Sequence, residues 1–241
     1  MCKSNPVVET KSDLKLLTFN IEGLASGLEE PDVINLLNEH DICIFSETWK
    51  TDDSKINLPG WWDFSIVRPK KKKPGRPSGG ITTFCKSNLR PGIKIVQSSE
   101  GFIWFKLDAK FFNFINDIYV AAVYIPPQYT KNLYSKKTDY FKSLNDTILK
   151  FSDKGNIILA GDFNARVGMD ESVHFDTTHV DDLCPPDIID TKPIQRNSCD
   201  TKINQYGKKL LQTCKAFNLQ IANGVVPGDR LGSFTSYAYG G

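Results

Sequence analysis

The stretch Asn156–Gly168, NIILAGDFNARVG, decides how the chain is read. Its apolar half has the length and composition of a buried strand. It then delivers a carboxylate, an amide and a guanidinium at spacing two, as Asp162, Asn164 and Arg166. If strand alternation continues to its end, Asp162 and Asn164 share one face and Phe163 takes the other. A carboxylate can accept a proton, while an amide can donate to an anion and orient a water.

Three other strand-like runs also finish in a polar residue that their apolar pattern does not require. They are Asn20 in LLTFNIEGL, Glu47 in IFSETW and Tyr124 in AAVYIPP. A single polar residue at a strand end is ordinarily a turn-former or cap. Four of them, each where rigid backbone meets solvent, suit a mounted chemical site. Glu47 is a hard oxygen donor of the kind Mg²⁺ or Mn²⁺ takes, and such ions use one or two carboxylates and keep several waters. Asn20 bridges such a cation and a carboxylate, and the set as a whole suits phosphodiester hydrolysis.

Around these ends the chain alternates between helical and strand periodicity. LKLLTFN reads as a strand, EEPDVINLLNEH as a short helix with proline near its start, and DICIFSETW as a second strand. The middle, from DFSIVRP through GGITTFCK, IKIVQ, GFIWFKLD and IYVAAVYIPP, reads as short strands joined by turns. KTDYFKSLNDTILKFSDKG predicts a helix with Phe141, Leu144, Ile148 and Phe151 on one face. INQYGKKLLQTCKAFNL predicts another, followed by a strand at QIANG. Many strands, few helices and strand–helix–strand units at both ends predict an α/β fold of two packed sheets with helices outside.

With 241 residues the chain makes one large domain. Residues 1–12 are read as a flexible tail and 13–241 as the domain, with a long polar loop around 168–201. Hydrophobic residues make up 40% and charged residues 24%, and the net charge of +2 alone does not announce a nucleic-acid binder. MCKSNPVVETKSD has no apolar core long enough for a signal peptide, and no run approaches a membrane span. The six cysteines form neither a CxxC pair nor a disulfide framework, and Cys43 and Cys85 read as buried small hydrophobes. An intracellular compartment follows.

The segments TFNIEGL, SETW, GRPSGGITTF, VYIPP, GDFNARVG and NQYGKKLLQTCKAFNLQIANG, in that order, resemble the endonuclease/exonuclease/phosphatase superfamily. They are most similar to its non-LTR retrotransposon endonuclease branch. The resemblance implies a two-sheet α/β sandwich like that of deoxyribonuclease, and a Mg²⁺- or Mn²⁺-dependent DNA endonuclease. It implies that Asn20, Glu47 and Glu22 hold the metal and that Tyr124 touches the scissile phosphate. Asp162 activates water and Asn164 stabilises the phosphoryl transition state. Thr235, in GSFTSY, matches a phosphate-contacting hydroxyl, and Arg166 is the candidate guanidinium contact to phosphate. Relatives also carry a terminal aspartate segment and a terminal histidine segment. Gly241 precedes both, so the last strands are expected to be missing. A truncated, inactive homologue that only binds nucleic acid or protein is the alternative. A phosphoinositide phosphatase shares the chemistry, but the GDFNARVG flanks argue against it.

Other features are weighed separately. RPKKKKPGRPSGG, Arg68–Gly80, holds six positive charges. It reads as a solvated hairpin loop or, with equal weight, as a non-specific phosphate clamp. It also suits a nuclear import signal, which would make the protein nuclear, or a minor-groove hook. Asp176–Asp190 holds five aspartates without the spacing of a calcium loop. Trp104 reads as sheet packing, and Trp61–Trp62 as a plug ahead of a strand rather than a stacking platform for bases. His40 reads as a helix-end residue.

Overall fold

The structure, a computed structural model, describes residues 13–52, 56–67, 78–128, 138–169 and 196–235. The tail at 1–12, most of the basic run, His174, His179 and the aspartate-rich stretch lie outside the described residues. The chain divides into two compact units. The first is Met1–Tyr140 with Asp146–Phe163, and the second is Phe141–Asn145 with Asn164–Gly241.

The first unit holds both sheets. In the first sheet the order is β1 (Leu16–Asn20), β2 (Ile42–Ser46), β4 (Ile81–Lys86), β3 (Trp61–Ile66). Strands β1 and β2 are parallel, while β4 is antiparallel both to β2 and to β3. In the second sheet β5 (Ile93–Ser99), β6 (Phe102–Leu107), β7 (Ile118–Tyr124) and β8 (Asn156–Asp162) lie in sequence order. There β7 and β8 are parallel and the other pairs antiparallel. Helices α1 (Leu24–Gly27) and α2 (Pro31–Glu39) link β1 to β2, α3 (Ala109–Phe112) precedes β7, and α4 (Tyr140–Ser152) links β7 to β8. Pro31 opens α2, where its missing N–H costs nothing. His40 caps the other end, its Nδ1 2.6 Å from the Leu36 carbonyl oxygen.

Alternation sorts the side chains between the faces. Ile42, Ile44, Phe64, Ile81 and Cys85 of one sheet meet Ile103, Phe105, Leu107, Val120, Ala122 and Tyr124 of the other in one buried layer. The residues between them face outward. Cys43, Phe45 and Phe84 pack with Ile21, Leu24 and Leu37. On the second sheet Trp104 lies under α4, its ring 5.0 Å from that of Phe151 and its Nε1 donating to Thr147 Oγ1 at 3.1 Å. Trp104 thus satisfies its one donor while fully buried. Burial pushes the Cys43 thiol up to about 12 and Cys85 higher still, as expected of inert core cysteines.

Two expectations are corrected. Trp61 and Trp62 do not precede a strand; they open β3. They face opposite sides, Trp62 against the layer between the sheets and Trp61 against the outer cluster, because both rings find apolar cover there. The segment QIANG, Gln220–Gly224, is not a strand. The Gly224 carbonyl accepts from Asn197 N–H at 3.1 Å, and its N–H donates to Asp229 Oδ2 at 3.1 Å. The Ala222 carbonyl is taken by turn bonds from Val225 and Val226, so the backbone groups are spent on turns and not on a ladder.

In the second unit α5 (Gln205–Ala216) begins at Asn204, whose side chain accepts from Gly207 N–H at 2.6 Å. A single bridge joins Val167 to Ile203. The buried Arg196 guanidinium donates to the Gly168 carbonyl. No helix among the described residues is long and apolar enough to cross a membrane.

Candidate active site

Four strand ends meet in the first unit. Asn20 is the last residue of β1, Tyr124 of β7 and Asp162 of β8, while Glu47 follows the last residue of β2. Within each parallel pair the register sets neighbours side by side, Asn20 with Ser46 and Tyr124 with Asp162. All four groups therefore sit at the carboxyl ends of strands in the two parallel pairs.

Side chains then bridge the two sheets. Asn20 Nδ2 donates to Asp162 Oδ2 at 3.4 Å, and the Tyr124 hydroxyl donates to Glu47 Oε1. Glu47 Oε2 accepts from Trp49 Nε1 at 2.9 Å and from Gly79 N–H at 2.5 Å. Asn20 Oδ1 accepts from Glu22 N–H at 3.3 Å. The structure thus brings together Asn20, Glu47, Tyr124 and Asp162, while Glu22 is tied to them through its backbone N–H on Asn20. Tyr124 is buried, Glu47 and Asp162 are half-buried, and Asn20 and Glu22 are exposed.

The backbone around these groups is unusual. Glu22, Glu47 and Trp49 have φ of 48°, 54° and 56°. For side chains other than glycine the left-handed region costs on the order of 1–2 kcal/mol per residue. The cost is met by backbone bonds that fix these turns, from Gly23 N–H to the Glu47 carbonyl at 2.9 Å and from Trp49 N–H to the Gly79 carbonyl at 2.9 Å. Such conformations collect at functional sites.

The other proposed site residues belong to the second unit. Strand alternation stops at Asp162, and Asn164 turns left-handed at φ 48°. The expected shared face therefore does not extend to Asn164, because the ladder has ended. Asn204, to which the sequence reading gives no role, holds this turn. Its Nδ2 donates to the Asn164 carbonyl at 3.0 Å, and its Oδ1 accepts from Arg166 N–H at 3.1 Å. Asn204→Ala removes these bonds and the cap of α5 together. We expect a loss of about 1–2 kcal/mol, read by chemical denaturation. Arg166 does not present a free fork. Its Nε and Nη2 clamp both carboxylate oxygens of Asp200 at 2.7 and 2.6 Å, and the guanidinium holds the Asp200 carboxyl below its ordinary range. Thr235 is exposed.

The profile of the Endonuclease/Exonuclease/phosphatase family matches residues 17–237. The chain belongs to that family. It is also 30% identical over 162 residues to the RNA-directed DNA polymerase from mobile element jockey of Drosophila melanogaster. That match covers 65% of this chain but only 15% of the relative, so the chain spans a small part of that protein's length. The catalytic domain of APE2 from Xenopus laevis aligns at 18% identity and a TM-score of 0.50, over 83% of this chain and 67% of that one. This likeness supports the sandwich fold read from the sequence.

Nucleases of the family generally depend on a divalent cation. The residues at the four strand ends fit one, because the side-chain donors are all hard oxygens. Ser46 Oγ and Thr48 Oγ1, on either side of Glu47, are buried without a hydrogen-bond partner, as suits groups that meet ordered water. Among the described residues no three His, Cys, Asp or Glu side chains converge. The fit is therefore to a small hydrated cation on one or two carboxylates, and not to a cage of protein ligands.

Proposed function

We propose that the chain is a divalent-metal-dependent phosphodiesterase acting on DNA, an endonuclease of the non-LTR retrotransposon type. The observation that carries this reading is the meeting of Asn20, Glu47, Tyr124 and Asp162 at four strand ends. The finer assignment rests on the identity to the jockey protein together with the motif order. The two side-chain bonds in place at these ends, Tyr124 to Glu47 and Asn20 to Asp162, weigh against the binding-only alternative.

In this reading Glu47, with Asn20 and Glu22, holds Mg²⁺ or Mn²⁺, which when bound neutralises charge on the phosphate and on the leaving oxygen. Asp162 accepts the proton of the attacking water. Tyr124 is the contact to the scissile phosphate, its single O–H passing from Glu47 Oε1 to a phosphate oxygen when substrate binds. Asn164 donates to a phosphoryl oxygen, a kind of contact worth on the order of 3 kcal/mol in a transition state. Arg166 acts through Asp200 in holding the turn and not as a direct phosphate contact, while Thr235 is accessible to phosphate.

The test is conversion of supercoiled plasmid to open circles. We expect nicking of undamaged plasmid in Mg²⁺, stopped by EDTA and reduced at least about 100-fold by Glu47→Gln. Nicking that survives EDTA or Glu47→Gln would contradict the metal assignment. Cleavage confined to abasic plasmid would contradict the retrotransposon type.

A further inference from the structure

We propose that Trp49 is a positioning residue for Glu47, and this rests on reading Glu47 as the metal ligand. A glutamate carboxylate on its flexible stem holds no fixed direction unless its surroundings impose one. Here three donors impose it. The Tyr124 hydroxyl takes Oε1, while the Trp49 indole N–H and the Gly79 N–H both take Oε2. With both lone pairs of Oε2 committed, Oε1 is the oxygen left to meet a cation.

Trp49 is itself held on three sides. Its N–H donates to the Gly79 carbonyl, so Glu47, Trp49 and Gly79 close a ring of bonds. Its φ of 56° throws the indole back toward the carboxylate two residues earlier. Its ring covers Gly23, where a Cβ would lie 2.7 Å from indole Cε3 and where φ is +115°. Only glycine leaves room for the indole there. The Gly23 N–H in turn holds the Glu47 carbonyl. Two segments far apart in sequence thus build a seat for one ring, and that ring offers its single donor to the carboxylate. Partners of this kind orient a ligand without touching the ion.

The test uses the full chain and Mn²⁺ alone as probe, with free Mn²⁺ read by electron paramagnetic resonance. Trp49→Phe keeps an aromatic ring over Gly23 and removes the N–H. Replacing Trp49 with 3-benzothienylalanine keeps the whole shape and puts sulfur in place of the N–H. Both are expected to raise the Mn²⁺ dissociation constant by about 10–100-fold. The benzothienyl form keeps the cation-free melting temperature, and excess Mg²⁺ restores its kcat for nicking. In a Glu47→Gln background the same replacements change Mn²⁺ binding no further. If wild type binds Mn²⁺ and the benzothienyl form binds it equally, the positioning role is overturned while the metal reading stands. If wild type binds no Mn²⁺ at all, the metal reading falls and this inference with it.

Discussion

Asp162→Asn is expected to lower plasmid nicking by about 10²–10⁴-fold while leaving the melting temperature nearly unchanged. The backbone at this position is fixed without help from the side chain. Asp162 is paired with Tyr124 in the β7–β8 register, and its carbonyl accepts from Ile125 N–H at 2.8 Å. Asparagine has the same shape and retains an oxygen to accept from Asn20, whose Nδ2 reaches Asp162 Oδ2 at 3.4 Å. What it lacks is the ability to take a proton from water at neutral pH. The loss should therefore fall on kcat, with KM for plasmid little changed. Single-turnover nicking beside a thermal melt reads both quantities. A variant that melts normally and nicks at the wild-type rate would remove Asp162 from the chemistry.

Gly161→Ala is expected to be the most damaging one-carbon change near the site, costing at least about 4 kcal/mol or preventing folding. Gly161 has φ +140°, and a Cβ there would lie 2.0 Å from the Val123 carbonyl oxygen and 2.8 Å from its nitrogen. Both atoms are backbone of the neighbouring strand and cannot rotate away. Alanine would have to push β8 off β7 just where Tyr124 and Asp162 are set side by side. Since a domain holds only about 5–15 kcal/mol of net stability, one such displacement consumes much of it. Urea denaturation measures the change. A Gly161→Ala protein of near wild-type stability would mean that β7 and β8 do not run at this spacing.

The same glycine shows why much of the site is legible in the sequence. Local patterns encode the strands, since alternation and apolar runs mark β2, β6 and β7. The polar residue closing each strand stands out against them. Asn20, Glu47, Tyr124 and Asp162 are found by asking where an apolar run ends without need of charge. What joins them is not local. Glu47 and Gly79 are 32 residues apart, and Arg166 and Asp200 are 34 apart. No periodicity records such pairs, so neither the Trp49–Gly79 seat nor the clamp on Arg166 is visible in the sequence. The expected shared face of Asp162 and Asn164 is lost for another reason. Alternation holds only while a ladder continues, and a left-handed residue two positions past the strand end breaks it. A clue to Asn204 does exist, because asparagine just before an amphipathic helix is a favoured N-cap. That pattern announces the helix and not the turn it secures at Asn164. Gln220–Gly224 shows the converse error, since two adjacent apolar residues, Ile221 and Ala222, are too few to outweigh the turns at its end.

The proposed chemistry requires a hydrated divalent cation on the carboxylate of Glu47, at the carboxyl ends of β1, β2, β7 and β8. A crystal of the full chain soaked in Mn²⁺, measured at the manganese absorption edge, locates that ion directly. We expect one strong anomalous peak within coordinating distance of Glu47, beside Asn20 and Asp162. A peak bound elsewhere with none at Glu47, in crystals of protein that nicks plasmid in Mn²⁺, would contradict it.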